Sequence, residues 1–467
     1  MALLIAFCSN CWLALFLMSC RSIMASFRLG LQVRVIDGEM GKGVFADKDL
    51  SSEGLVLREA PLVGAQHSRN KRDAMVCSHC FRYVGSIEQQ LARRLLQNDG
   101  EEDASDDVMD SDGEPTTSMD DEERDEVGGE DMDENDEHCG CSGNSKMKKA
   151  LPSDARSALA RGALVLPYSN QFPLPPVVTC KGGCQDDVHC SDMCADAAWA
   201  AYHSLLCTGP SSHCKNTDAL VSFKEFADET NDIFHIAAQV IAGTLLRARK
   251  LESTIRGKHE SALLRAWEPF AMSFKLLWWE TVALPSDVDP VDERQFRNQM
   301  KEIAAQSLSL LKSAICEENY APLFSLEIYG HIIGMFELNN LEIVVASPVE
   351  EYFLYIDDLP PAAKAEAEVY TKPFLDALGD DYAAYCQGSG LYSLQSCMNH
   401  SCRPNAKAFK IDEDRDGHAV LLTTRPIRKG EEATISYIHE DASLDERRAA
   451  LADYAFVCRC SRCLEES

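Results

Sequence analysis

Basic residues are scarce in this sequence. Forty-five Lys and Arg stand against 75 Asp and Glu, a formal net charge of −30. A phosphate backbone selects for basic faces, so direct sequence-specific DNA binding is not expected. Most of the imbalance is local: residues 99–137 hold 21 acidic side chains and a single basic one, Arg124. That run has no apolar period either. It cannot bury enough surface to offset the entropy of ordering, and it is expected to be a disordered insertion over 99–138. A Gly-x-Gly-x-x-Gly fingerprint with a following acidic residue is missing, which removes support for a dinucleotide fold. No internal repeat is present. Residues 1–20 are nearly all apolar but have no basic stretch ahead of them, and Arg21 comes just after. This segment is long enough for a signal anchor, which leaves an organelle or membrane signal open beside translation starting at Met24.

Cysteine, by contrast, is plentiful. The 467 residues include 20 Cys and are 45% apolar, enough for two or three domains with real cores. The chain is too long for a disulfide-stapled miniprotein, and most cysteines fall in short pairs that suit zinc in a reducing compartment. Cys77-x2-Cys80, Cys180-x3-Cys184, Cys190-x3-Cys194 and His203-x3-Cys207 supply eight donors, the number two tetrahedral Zn(II) ions need. Spacing alone does not say which pairs share an ion, and Cys139 and Cys141 are rival ligands. The flanking Arg69, Lys71, Arg72 and the cluster at Lys146 leave a small basic patch open.

Periodicity indicates strands over 31–36, 44–46, 55–57, 341–345 and 420–424, by alternation or β-branched content. Helix spacing runs over 218–251, with Phe226, Ile233, Ala237, Val240, Ile241 and Leu245 on one face. It returns over 263–282 and 295–316, with a break at Leu284-Pro285. The order strand, metal module, helices, strands, metal tail implies an α+β domain with insertions.

Three motifs in the last eighty residues carry the functional signal. They are Asn399-His400-Ser401-Cys402-Arg403-Pro404-Asn405, then Gly430-Glu431-Glu432-Ala433-Thr434-Ile435-Ser436-Tyr437, then Cys458-x-Cys460-x-x-Cys463. In this order and spacing they resemble the C-terminal half of a SET-domain protein-lysine methyltransferase. The cysteine pairs upstream resemble a MYND finger, widened by the acidic insertion. Together these are similar to the SMYD family, closest to its fifth member and to plant trithorax-related (ATXR) SET proteins. The resemblance implies a SET β-fold interrupted by a MYND finger and a helical insertion, closed by a post-SET zinc tail. The expected segments are an N-terminal extension 1–27, SET halves 28–76 and 321–441, finger 77–207, helical insertion 218–320 and tail 442–467.

The resemblance also implies residue roles. Cys77, Cys80, Cys190 and Cys194 would join at one Zn(II), and Cys180, Cys184, His203 and Cys207 at a second. Cys402 would complete a third with Cys458, Cys460 and Cys463, pinning the tail over the active site. Lys42, Gly43, Asn339, Asn399, His400, Tyr437 and Phe456 would contact S-adenosyl-L-methionine, with Tyr437 and Tyr454 lining the catalytic channel. The activity implied is methylation of histone lysines, or of another basic protein such as a ribosomal one, by a monomer acting in the nucleus, with the cytoplasm left open as a second site. An alternative is an adaptor with little activity that recruits Pro-rich partners through the finger.

Overall fold

The computed structural model describes residues 30–36, 41–97, 148–254, 259–271, 276–285, 288–339, 341–408, 414–452, 454 and 456–467. The apolar segment 1–27, the acidic run 99–138, Cys139, Cys141, Lys146 and Met147 lie outside them.

Strand β1 (Leu31–Val35) buries Leu31 and Val33, the alternation its sequence carries. It pairs antiparallel with β2 (Lys42–Ala46), from Leu31↔Ala46 to Val35↔Lys42. β3 (Leu55–Glu59), β4 (Val63–Gln66), β5 (Val178–Thr179), β6 (Val188–His189), β7 (Leu341–Val345), β8 (Cys386–Leu391), β9 (Asn399–His400), β10 (Ala406–Ala408), β11 (Ala419–Thr423) and β12 (Glu432–Ile435) follow. They form sheets of order β1-β2-β12-β9, β10-β11-β3 and β4-β8-β7, plus the small β5-β6 hairpin. The first sheet positions the site. Its centre strand β12 runs antiparallel to β2 and parallel to β9, in the register Thr434↔Asn399 and Ile435↔His400. Segments far apart in sequence thus meet edge to edge.

The helical layer forms one large apolar cluster that includes Phe234, Val240, Trp278, Leu311, Tyr329 and Phe336. Helix spacing over 218–251 resolves into two helices, Thr217–Thr230 and Ile233–Thr254. The break has a local cause: the Asn231 side chain accepts the Ile233 N–H at 3.0 Å, and an Asn that caps a new helix opposes continuation of the old one. The stretch 263–282 likewise divides into His259–Ala271 and a short turn, Trp278–Thr281. Glu293–Ile315 is a single helix. Leu326–Asn339, apolar nearly all round, lies inside the cluster. Two further helices, Pro348–Asp357 and Pro361–Leu378, each begin on a proline, whose missing N–H is not needed in a first turn. Gln239 ties the helical layer to the sheets by bonding both the N–H and the carbonyl of Gly64, at 3.1 and 2.8 Å. Among the described residues no helix is long and apolar enough to cross a membrane.

Candidate active site and metal centres

Parallel pairing with β12 sets Asn399 across β2. Its amide donates to the Lys42 carbonyl at 2.6 Å and to Glu432 Oε1 at 2.8 Å. Gly43 makes this approach feasible. A Cβ there would lie 2.3 Å from Glu432 Oε1 and 3.1 Å from Asn399 Nδ2. Gly43→Ala is therefore expected to displace Asn399 and destabilise the fold by about 1–3 kcal/mol, the usual cost of overpacking. Urea unfolding checks this, and an unchanged midpoint would mean that the Glu432 side chain gives way instead. The neighbouring Lys42 side chain is buried, and burial lowers its pKa against the opposing influence of Cys397.

His400 joins the sheet to the tail. Its Nδ1 accepts the Tyr437 N–H at 3.0 Å, so in the neutral ring the proton sits on Nε2, 3.2 Å from the Cys402 sulfur. Burial, and then the charge of Arg447, hold its pKa down to about 4. The Tyr437 hydroxyl donates to the Met398 carbonyl. Burial, then Tyr454, raises its pKa, so it remains a phenol at physiological pH. Around it stand Tyr454 at 5.1 Å, His400 at 5.4 Å and Phe456 at 6.4 Å between ring centroids, with Phe456 and His400 6.0 Å apart. These four rings make an aromatic enclosure, half-open at Phe456. Asn339 ends the Leu326–Asn339 helix. Its amide turns back to the Met335 carbonyl at 2.7 Å, and its own carbonyl accepts from Ser396 at 2.8 Å.

Sequence reasoning gave no role to Asn405, Glu432 or Arg447. Asn405, buried, brackets β12 by donating to the Glu432 carbonyl and accepting from the Thr434 N–H, at 2.7 and 2.8 Å. Asn405 and Glu432 both fall inside the quoted motifs. The signal for Arg447 was its spacing of three and four residues from Leu444 and Leu451, which places a charge on the apolar face of a helix.

Among the described residues, eleven cysteines and His203 gather in three groups: Cys77, Cys80, Cys190, Cys194; Cys180, Cys184, His203, Cys207; and Cys402, Cys458, Cys460, Cys463. Within each group the ligand atoms lie within 4.8 Å of one another. The close S···S separations run from 3.5 to 3.9 Å. A disulfide would need about 2.05 Å. Four thiolates about 2.3 Å from a tetrahedral Zn(II) are about 3.8 Å apart, so the donor sets fit zinc. Backbone N–H groups of Gly182 and Gly209 point at the Cys180 and Cys207 sulfurs at 3.2 and 3.3 Å, which suits a negatively charged ligand.

Local structure explains why the first two groups interleave. Cys180 follows β5 and Cys190 follows β6, so the antiparallel pairing Val178↔His189 sends them to opposite ends of the hairpin. Ser191 then caps the Asp192–Ala198 helix, accepting the Cys194 N–H at 3.2 Å and holding Cys194 in the first turn beside Cys190. The wide turn Trp199–His203 and the turn Ser204–Leu206 carry His203 and Cys207 to the far end. His203 Nε2 lies 3.0 Å from the Cys180 sulfur, and its Nδ1 lies 3.6 Å from Asp187. A fourth grouping, Asp228, Asp232 and His235, is held together by Ser68 and by a 2.7 Å contact between His235 and Asp228.

Comparison with known proteins agrees with this geometry. The SET-domain profile matches residues 259–438. The chain is 51% identical to the histone-lysine N-methyltransferase ATXR2 of Arabidopsis thaliana, over 94% of this chain and 91% of that protein. It is 26% identical to the protein-lysine N-trimethyltransferase SMYD5 of Gallus gallus, over 93% and 86%. For SMYD5 of Homo sapiens the figures are 24%, 96% and 90%. With its SET fold, its cysteine clusters and this likeness along nearly its whole length, the chain belongs to the ATXR2-like SET-domain protein-lysine methyltransferases.

Proposed function

We propose that the protein methylates lysine side chains of histones in the nucleus, using S-adenosyl-L-methionine, and that three Zn(II) ions hold its finger and tail. The observation that carries the reading is the Tyr437 hydroxyl beside the Met398 carbonyl inside the enclosure of His400, Tyr454 and Phe456. S-adenosylmethionine, when bound, supplies a methyl group on a cationic sulfur. Gly43, Asn399 and His400 would hold it, and Phe456 offers a ring face to its flat base. The substrate lysine must attack as a neutral amine, although its ordinary pKa is about 10.4. Tyr437, Tyr454 and Phe456 exclude water from the channel, which disfavours the ammonium form. Because burial keeps Tyr437 protonated, it orients the amine and does not abstract its proton. The Met398 carbonyl adds a fixed negative dipole beside the reacting centre.

The pH dependence follows. Between about pH 6 and 9, kcat/KM should rise about tenfold per unit, because each unit multiplies the neutral amine tenfold. No break should come from His400, whose pKa of about 4 lies below that window. A rate profile with an inflection near 6.5 would mean that His400 titrates as an ordinary histidine.

The defining experiment is transfer of labelled methyl to core histones and, separately, to ribosomal proteins. Label on histone lysines is expected. Label on ribosomal proteins alone would keep the activity and change the substrate. No label on either, with cofactor binding also absent, would favour the adaptor.

A further inference from the structure

We propose that Arg447 is a positioning residue for the methyl-transfer site: its guanidinium compensates the thiolate cluster of Cys402, Cys458, Cys460 and Cys463 and so keeps the tail closed over the chamber. This rests on the tail being a zinc site. Arg447 lies on the Leu444–Ala452 helix and is 1% exposed, among the most deeply buried large side chains of the protein. One arm donates to the Ala442 carbonyl at 2.6 Å and another pairs with Glu466, near the last residue of the sequence. Its Nε is buried with no hydrogen-bond partner. Leu444 and Leu451 of the same helix pack in one cluster with Cys402 and Cys463, which sets Arg447 on the side of the two sulfurs, and their charge adds to that of Glu466 in raising its pKa. A guanidinium in such a place is unfavourable unless its charge is answered. Glu466, about one third exposed, answers one arm only.

Four thiolates and one Zn(II) carry a net charge of −2, and a buried site of that charge calls for a cation. The other arginines nearby face solvent or pair with carboxylates: Arg459, between Cys458 and Cys460, is exposed. Arg403 pairs with Glu465, Arg462 with Glu466, and Arg448 bonds Ser467 and lies 3.9 Å from Asp445. His400 faces Cys402 through Nε2, 3.2 Å from the sulfur, while its Nδ1 accepts the Tyr437 N–H. Arg447 alone of these brings a full positive charge to the sulfurs from the buried side. The geometric consequence reaches the chamber, because the Cys402–Leu451–Cys463 cluster packs directly on Tyr437 and Tyr454. Phe456 lies between that wall and Cys458 in sequence.

The test uses the full chain with Arg447→Gln and Arg447→Lys. Zinc per chain is measured first. Release of each ion to a chromogenic chelator and alkylation of individual cysteines by iodoacetamide follow, the latter read by peptide mass spectrometry. Wild type should hold three ions; a wild type holding two, with the tail cysteines free, would sink the zinc reading itself. Given three, Arg447→Gln should release the tail ion about 10–100-fold faster, the usual cost of losing a partner that supports metal ligands. Cys402 and Cys463 should alkylate faster in step, while the finger cysteines stay unchanged as an internal control. KM for S-adenosylmethionine should rise more than kcat falls. Arg447→Lys, which keeps the charge, should recover most of the ion retention. Equal loss in both variants would assign Arg447 to packing and overturn the proposal, as would wild-type retention in the Gln form. Should the Gln form fail to fold, the Lys form decides alone: a chain holding only two ions, or releasing the tail ion about 10–100-fold faster than wild type, would overturn it.

Discussion

Tyr437→Phe is expected to lower kcat by about 10²–10³-fold, the range typical of removing one preorganised hydrogen-bonding group from a reacting centre. The substitution deletes a single oxygen. The ring remains to pack against Tyr454, and the backbone bond from the residue-437 N–H to His400 Nδ1 is untouched. Stability should fall only by the bond to the Met398 carbonyl, about 1 kcal/mol. Affinity for S-adenosylmethionine should accordingly stay within about threefold of wild type, since less than 1 kcal/mol separates the two. Labelled-methyl assays with calorimetry on the same preparations separate these quantities. A variant with near-normal kcat would remove Tyr437 from the chemistry. One that loses cofactor affinity and rate together would make it a binding wall.

Cys402→Ser should have the second large effect, by a different route. Cys402 is the only donor of its group outside the tail, so its sulfur joins β9 to the last fifteen residues. Free energies of about 10–16 kcal/mol are typical for structural zinc, and losing one thiolate of four removes enough to empty such a site. Zinc content should drop from three ions to two. The tail should become open to protease around Val457, which is already 72% exposed. Tyr454 and Phe456 would lose their anchor, so cofactor affinity should fall at least about tenfold, equivalent to 1.4 kcal/mol. Cys194→Ser is the control. It should cost the ion at Cys77, Cys80 and Cys190 and leave the chamber intact. Equal damage to cofactor binding from both substitutions would mean that the tail cluster has no special link to the chamber.

Sequence alone was a good guide wherever the physics is local or the motif dense. Alternation in 31–36 placed β1, and the β-branched runs placed β7 and β11. The Asn-His-Ser-Cys and Gly-Glu-Glu…Tyr motifs singled out residues that the structure brings into one enclosure. Helix boundaries were less legible. Periodicity cannot see the Asn231 cap that splits one apolar stripe into two helices, and it overlooked the Leu326–Asn339 helix because a helix apolar on all sides has no stripe. Asn405 and Glu432 were visible as letters and silent as roles, since each acts on β12, whose partners are fixed only by pairing.

What the sequence determined by itself was the inventory: which donors, which rings, which charges, and an acidic run too polar to build a core. Tertiary structure decided the combinations. The antiparallel β5-β6 hairpin sends Cys180 and Cys190 to opposite ends, so the two finger groups interleave, and no spacing rule contains that fact. Parallel pairing of β9 with β12 brings Asn399 to Gly43 and His400 to Tyr437, contacts separated by hundreds or tens of residues along the chain. Arg447 is buried beside Leu444 and Leu451 because the fold covers that face of its helix. Residue type limits what a side chain can do chemically. Its partners are chosen by burial and strand pairing, which depend on the whole chain at once.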